Sequence, residues 1–313
     1  MTQKEKPELR EQLHKVNSDS VSGCPSGEKD GTANGGSGED LSAVVFVVTH
    51  KSYRMPEDEV YCPMQVGAAL SWDSKGREQD LGYVKDNAGE NISTRNASFC
   101  ELTGLYWAWK HCPADYIGLV HYRRHFRGDG KVHSGIRRDI FDEVLRGDEL
   151  MPLLKKYKVI LPRKRYYIIE TLWSHYDHTH YVEHLEKTRE IIQEKYPDYL
   201  PSFDKVMKQS SAHMFNMMVM RRDLLDAYCR WLFDILFELE RRTDGSRYSF
   251  FQGRYCGRIG ELSLNVWIDR QLKTGMLSHS DICVLPYVYI ERENWFRKAN
   301  RFLQAKFLHR RYE

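Results

Sequence analysis

Two adjacent arginines flanked by histidines follow an apolar segment, in the run His121-Tyr122-Arg123-Arg124-His125. The planar guanidinium group binds pairs of phosphate oxygens, and such cations can stabilise a departing diphosphate in place of a divalent metal. The alternative is a surface ion pair with an acidic residue such as Asp139 or Asp142. The residue types therefore predict either a phosphate site or a solvated charge cluster.

A second polar group opens the helix that the sequence predicts over Asn91–Lys110. Ser93 and Asn96 lie in its first turns, where backbone N–H groups can bind a phosphate or a ribose hydroxyl. Ser93 could instead serve only as the N-terminal cap. Both interpretations place polar side chains at the same end of this helix.

Histidines cluster in the segment His175-Tyr176-Asp177-His178-Thr179-His180, with His184 four residues later. On one helix, His180 and His184 would share a face, as metal ligands often do. However, no HExxH motif occurs, and Asp177 is the one carboxylate inside the cluster. We therefore favour a polar surface that binds an acceptor over a metal site.

Glu261 opens a helix predicted over Glu261–Leu272, and Asn265 lies one turn later. A carboxylate in the first turn commonly offsets the helix dipole. It could also act as a base that removes a proton from a hydroxyl group.

These residues are positioned by alternating predicted strands and helices, which indicate one α/β domain with a mainly parallel central sheet. Three polar groups follow predicted strands: Thr49-His50, the group beginning at His121, and the residues around His213 and Asn216. The carboxyl ends of parallel strands meet at one edge of a sheet. We therefore expect these groups to face a common cleft.

The two ends of the chain differ from the middle. Residues 1–42 contain many polar residues and glycines, and composition predicts a disordered tail. Residues 43–290 form the predicted domain. Residues 291–313 predict an amphipathic helix with aromatic and basic faces, which would either lie on an anionic membrane surface or pack against the domain.

Composition restricts the class of protein. A net charge of +3 over 313 residues argues against a nucleic-acid partner. The 7 cysteines form no CxxC pair, which favours a reducing compartment. No apolar run is long enough for a signal peptide or a spanning helix, so we expect a cytoplasmic protein.

Several longer motifs resemble a bacterial family of capsular and exopolysaccharide synthesis proteins, long catalogued as a domain of unknown function. The resemblance covers about residues 44–290. Its most specific motifs are Tyr106-Trp107-Ala108-Trp109-Lys110 and Ile117-Gly118-Leu119-Val120-His121-Tyr122-Arg123-Arg124, and later segments such as His213-Met214-Phe215-Asn216-Met217 also match.

The resemblance implies a GT-A-like glycosyltransferase that moves a hexose, galactose or galactofuranose, from a UDP-linked donor. We expect the acceptor to be a polyprenyl-diphosphate-linked saccharide, which would place the enzyme peripherally on the inner face of the cell membrane. Taking the residue patterns and the resemblance together, we predict that the catalytic residues are Glu261, Arg123, Arg124 and His121; the donor residues are Thr49, His50, Asp86, Asn91, Ser93, Asn96, Tyr122 and Asn216; the acceptor residues are His175, Tyr176, His180 and His213.

The chain departs from the GT-A pattern where a strand usually ends in Asp-x-Asp. His121-Tyr122-Arg123 stands there, and the sequence contains no Asp-x-Asp. Either Mn²⁺ or Mg²⁺ is held by scattered residues, or Arg123 and Arg124 supply the positive charge. We favour the second alternative and predict no dedicated metal site.

Two other functions are compatible with the sequence. The histidine cluster could belong to a metal-dependent hydrolase or phosphotransferase. Alternatively, the chain could be a non-catalytic factor that docks polysaccharide machinery on the membrane. The last hypothesis predicts that no nucleotide binds.

Overall fold

The computed structural model describes residues 41–72, 75–129, 139–167 and 169–291. The predicted N-terminal tail, apart from its last two residues, and the predicted C-terminal amphipathic helix, apart from Glu291, lie outside the described residues. In the described part, no helix is both long and apolar enough to cross a bilayer.

A central sheet organises the domain around strand β1, Ala43–Thr49, which is almost entirely buried. It pairs in parallel with β2, Tyr61–Gln65, on one side and with β4, Tyr116–His121, on the other. The remaining strands are β3 (Val84–Lys85), β5 (Arg124–Phe126), β6 (Val159–Pro162), β7 (Arg165–Tyr166), β8 (Ser211–Ala212), β9 (Met218–Arg221), β10 (Ile282–Leu285) and β11 (Tyr287–Tyr289).

The main path of the sheet runs β10-β6-β9-β4-β1-β2-β3, and β9 is antiparallel to both of its neighbours. The pairs β1–β2, β1–β4, β2–β3 and β6–β10 are parallel. Strands β5 and β11 extend the sheet beyond β4, and β7 pairs with β8 in a separate ribbon. The predicted α/β class with a mainly parallel central sheet is confirmed.

Helices cover both faces of this sheet, where two apolar cores form. Gly104 lets α2 pack closely against the sheet, because a Cβ atom there would lie 2.9 Å from side-chain atoms of Val48 and Val66. The helices are α1 (Asn96–Phe99), α2 (Leu102–His111), α3 (Gly147–Leu154), α4 (Leu172–Thr179), α5 (Glu183–Lys195), α6 (Leu200–Met207), α7 (Arg222–Arg241) and α8 (Tyr255–Thr274).

Two breaks in helices differ from the sequence prediction. The predicted helix over Asn91–Lys110 is interrupted at Cys100, whose φ of 53° lies in the left-handed region. The break separates α1 from α2 and places Glu101 at the start of α2. Furthermore, α4 ends at Thr179 and α5 begins at Glu183, so His180 and His184 do not share a helical face. The expected i, i+4 pair was wrong because the chain turns between them.

Helix α8 begins at Tyr255, two turns before the predicted start at Glu261. Glu261 therefore lies in the interior of the helix, where it cannot offset the partial charge of the first turn. Gly257 and Gly260, which precede the predicted start, lie within the helix. Both glycines pack tightly, against Cys100 and Leu102 respectively.

Candidate active site

A polar stripe is formed by Arg258, Glu261 and Asn265 of helix α8 together with Arg254, the residue directly before the helix. The spacing of i, i+4, i+7 and i+11 places these side chains on one face of the helix. Most other residues along α8 are buried in apolar packing, including Trp267 and Leu264. A charged stripe on such a helix indicates a functional cleft rather than a solvated surface.

Glu261 is partly exposed at the centre of this stripe. Burial, together with the nearby charge of Glu101, raises the pKa of Glu261 to about 7, against opposing contributions from Arg124, Arg165 and Arg258. A carboxyl group that titrates near neutral pH can accept and release protons efficiently. The geometry therefore supports the acid–base interpretation of Glu261.

Glu101 is the buried carboxylate that faces this stripe. Its Oε1 accepts a hydrogen bond of 2.7 Å from Asn216 Nδ2, and the same amide donates to the carbonyl oxygen of Gly257 at 3.0 Å. Asn216 thus links the start of α2 to helix α8. Glu101 was not predicted as a site residue, although it lies only five residues before the Tyr106-Trp107-Ala108-Trp109-Lys110 motif.

The backbone is strained at Phe215 and Asn216, whose φ values are 76° and 50°. Such conformations cost energy in residues other than glycine and are concentrated at functional sites. The carbonyl oxygen of Phe215 lies 2.6 Å from His121 Nε2. Burial lowers the pKa of His121, so the neutral ring donates this bond through Nε2–H. The strained turn therefore joins the end of β4 to Glu101 and to helix α8, which carries Glu261. We refer to Glu101 and Glu261 as the carboxylate pair.

The two predicted arginines point in different directions. Arg124 is partly buried, with Cζ 4.6 Å from the ring centre of Phe215 and 5.0 Å from that of Tyr289. Arg123 is exposed and forms an ion pair of 3.2 Å with Glu291. They do not act as one fork, and Arg124 is the arginine whose charge acts on Glu261. Arg123 has the predicted ion pair, but neither Asp139 nor Asp142 is its partner.

Cations surround His50 where strand β1 ends. The ring of His50 meets that of Tyr122 edge-on at 5.6 Å, and Lys51 lies 5.3 Å from the same Tyr122 ring. After burial, the charges of Lys51, Arg123 and Arg254 lower the pKa of His50. The buried hydroxyl of Thr49 donates to the carbonyl oxygen of Lys51 and orders this turn. The ends of β1 and β4 therefore form a positively charged edge.

Four predicted donor residues hold the neighbouring loop together. The buried carboxylate of Asp86 accepts hydrogen bonds from Gly67 N and Ala68 N, and from Ser93 Oγ at 2.5 Å. Asn91 and Asn96 bond to the loop backbone through their amide groups. Asp86 and Ser93 are completely buried, so direct contact with a donor would require this loop to open. In this conformation these residues shape the edge of the cleft.

The histidine cluster forms an internal network beside α8. Glu170 is buried, and its two oxygens lie 2.8 Å from His175 Nδ1 and 2.6 Å from His178 Nδ1. His180 Nδ1 lies 3.1 Å from Gln252 Oε1. Burial lowers the pKa values of His175 and His180, that of His180 to about 2. Glu170 was missed because it lies just before the helix that carries its partners.

His213 and Tyr176 are also held by specific contacts. The backbone N–H and carbonyl of His213 both bond to the side-chain amide of Asn265, each at 2.8 Å. The ring of His213 donates from Nδ1 to the carbonyl oxygen of Pro162 at 2.6 Å, since burial lowers its pKa to about 4. The hydroxyl of Tyr176 lies 3.1 Å from His184 Nδ1. These bonds connect His213 to α8 and β6, and Tyr176 to α5.

The residues of this cleft do not form an evident site for Mn²⁺ or Mg²⁺. In the described ranges, no three His, Cys, Asp or Glu side chains are grouped so that they could hold an ion together. The carboxylate of Glu101 is bonded to Asn216, and the charges of Arg124, Arg165 and Arg258 act on Glu261. We therefore derive no step through a metal.

Comparison with known proteins agrees with this architecture. A WbbM bifunctional glycosyltransferase, solved in its apo form, matches with a TM-score of 0.70 and 27% sequence identity. The alignment covers 80% of this chain and 46% of that chain, so this chain corresponds to about half of the larger protein. No curated protein matches the chain. The expectation of a glycosyltransferase-like fold is confirmed.

The family described as a domain of unknown function, DUF4422, matches residues 44–272. This range contains the strained Phe215–Asn216 turn, the carboxylate pair and almost all of α8. The chain therefore belongs to the DUF4422 family.

Proposed function

We propose that this protein is a glycosyltransferase that moves a sugar from a nucleoside-diphosphate donor to a saccharide hydroxyl. The observation that carries the proposal is Glu261, partly exposed on the polar stripe of α8 and facing Glu101 among several arginines. The likeness to a protein described as a bifunctional glycosyltransferase supports the same activity.

The donor diphosphate would bind at the positively charged edge formed by His50, Lys51, Arg123 and Arg254. Arginine and lysine side chains neutralise the negative charge that develops as a diphosphate departs. The charge of Arg124 acts on Glu261, and its guanidinium group is partly buried, so water screens this charge less than at the surface. Arg124 is therefore the main candidate for stabilising the leaving group.

Glu261 would act as the base that accepts the proton of the acceptor hydroxyl. The hydroxyl oxygen then forms a bond to the anomeric carbon, and the bond from that carbon to the diphosphate oxygen breaks. The electron pair of the broken bond leaves with the diphosphate. Asn216 holds Glu101 in place, and Glu101 keeps Glu261 basic enough for this step.

We further propose that the donor is UDP-linked and that the sugar is a hexose, either galactose or galactofuranose. The acceptor would be a polyprenyl-diphosphate-linked saccharide of capsule or exopolysaccharide synthesis, met at the inner face of the membrane. These assignments rest on the resemblance of the motifs. The C-terminal segment to which we attribute membrane contact lies outside the described residues.

Hydrolysis and thermal stabilisation measured against a panel of nucleotide sugars test the proposal. A UDP-sugar should raise the melting temperature and be hydrolysed slowly, and Glu261→Gln should lower the rate about 100-fold or more. Because Glu261 must be unprotonated, the rate of the wild type should fall as the pH drops below about 7.

The other functions give different results in the same experiment. A non-catalytic assembly factor would show no stabilisation by any nucleotide. A metal-dependent hydrolase would bind zinc stoichiometrically and keep its activity in Glu261→Gln. Either outcome would reject a transferase centred on α8.

A further inference from the structure

Three consecutive cations, Arg163, Lys164 and Arg165, connect β6 to β7 on the side of the cleft away from β1. Among the residues that the structure describes, none of the three forms an ion pair. Lys164 and Arg165 are nevertheless partly buried. The side chains of Lys164 and Arg165 are therefore only partly solvated.

Ion pairing is common for basic residues elsewhere in the domain. Arg189 binds Asp204 through two nitrogens, and Arg242 binds both Glu194 and Glu238. Partly buried cations that form no ion pair are unfavourable unless an anion compensates the charge. Glu261, the carboxyl group on which the charge of Arg165 acts, has a pKa of about 7 and is therefore only partly ionised at neutral pH. The 163–165 segment thus has an excess of positive charge that a ligand could neutralise.

The geometry places Arg165 between Glu261 and the histidine network. Strand β7 pairs with β8, so that Arg165 lies opposite Ala212, next to His213. The Cζ atom of Arg165 lies 5.1 Å from the ring of Tyr167, whose ring centre is 4.1 Å from that of His175. The charge of Arg165 also acts on Glu261 and on Tyr287. These contacts place Arg165 on the acceptor side, whereas Lys51, Arg123 and Arg254 surround His50.

We propose that Arg165, assisted by Lys164, binds an anionic group of the acceptor, separately from the donor diphosphate. The group would be either the phosphate of a lipid-linked acceptor or the carboxylate of an acidic sugar, because a guanidinium fork binds both. Tyr166 and Ile169, which are 69% and 64% exposed, offer apolar surface beside this site. The inference rests on the proposed glycosyltransferase function.

Calorimetric titration of the full chain in the presence of saturating UDP tests the inference. The two probes are geranyl diphosphate, for a lipid phosphate, and glucuronate, for an acidic sugar. One of them should bind the wild type, and Arg165→Gln should weaken its binding about 10-fold or more. Lys164→Gln should weaken it less. Lys208→Gln, which removes an exposed charge at the end of α6, is the matched control and should leave binding unchanged.

The outcomes separate this inference from the proposed function. Tighter binding of geranyl diphosphate identifies a lipid phosphate, and tighter binding of glucuronate identifies an acidic sugar. If neither probe binds, or if Arg165→Gln binds as the wild type does, the anion site is refuted. Stabilisation by UDP, measured on each variant, confirms that the variant is folded and reports the donor site independently. If UDP does not bind to the wild type, the proposed function is refuted instead.

Discussion

At the scale of single residues, the proposed site is centred on Glu101, Glu261 and Arg124. Glu101 is bonded to Asn216, and its charge helps to raise the pKa of Glu261 to about 7. Arg124 lies against the rings of Phe215 and Tyr289, whereas Arg123 is paired with Glu291 at the surface. Neighbouring residues in the sequence therefore have different environments, and we expect different consequences when each is replaced.

We predict that Arg124→Ala lowers the rate of sugar transfer or donor hydrolysis about 100-fold, because a poorly screened charge next to Glu261 is lost. Arg123→Ala should lower it about 10-fold or less, since this exposed arginine is partly neutralised by Glu291. Activity should survive EDTA. Steady-state rates with and without EDTA or Mn²⁺ test this prediction. Equal losses in both variants, or strict Mn²⁺ dependence, would contradict it.

At the scale of elements, the site depends on how α8 meets the broken helix α1–α2. Gly260 lies at this contact, because a Cβ atom there would be 2.6 Å from Leu102 Cδ1 and 3.2 Å from Asn216 Oδ1. Leu102 is completely buried, so a shift of its side chain would disturb the core packing around it. The spacing between Glu101 and Glu261 therefore depends on a glycine in the middle of a helix.

Gly260→Ala should lower the free energy of unfolding by about 1–3 kcal/mol, as overpacked cores do, despite the better helix propensity of alanine. It should also reduce activity, because α8 must shift relative to Glu101. Urea denaturation and steady-state rates measure the two effects. Gly245→Ala is the control, since its nearest contact would be a distant 3.9 Å. A Gly260→Ala protein as stable and active as the wild type would show that this contact is not critical.

At the scale of the whole molecule, several histidines are buried and neutral. Burial lowers the pKa of His125 to about 3 and those of His184 and His213 to about 4, from an ordinary value of 6.5. Below pH 6.5 the unfolded chain binds protons that the folded chain does not bind at these sites. Their contribution to stability is therefore complete above pH 6.5 and is lost as the pH falls towards 4.

We predict that these three histidines together lower the free energy of unfolding by up to about 4 kcal/mol as the pH falls from 7.5 to 5.5, or about 1.4 kcal/mol for each. His125→Phe should make this loss of free energy about 1.4 kcal/mol smaller, because phenylalanine does not titrate. The phenyl ring should also keep the packing of the His125 ring against that of Tyr61. Urea denaturation at several pH values measures the effect, with the exposed His279→Gln as the control. A free energy of unfolding that stays constant down to pH 5.5 would refute this prediction.

The sequence by itself determined the fold class and the main edge of the site. Buried strands such as Ala43–Thr49 are recognisable from their continuous apolar residues, and polar residues after them mark the carboxyl edge of a parallel sheet. Glu261 was identified as a candidate base, and the motifs around Trp107 and His121 identified the family. These features depend on residue types within short segments, which sequence patterns describe well.

Only the tertiary structure decided which charged side chains lie close to one another. The start of α8 at Tyr255 created the stripe of Arg254, Arg258, Glu261 and Asn265, and the break at Cys100 brought Glu101 to face it. Arg123 and Arg124 were separated because the turn after β4 directs neighbouring side chains to different surroundings. A pKa near 7 for Glu261 arises from burial and from charges distant in sequence. Such effects depend on distances in space, which local sequence patterns do not encode.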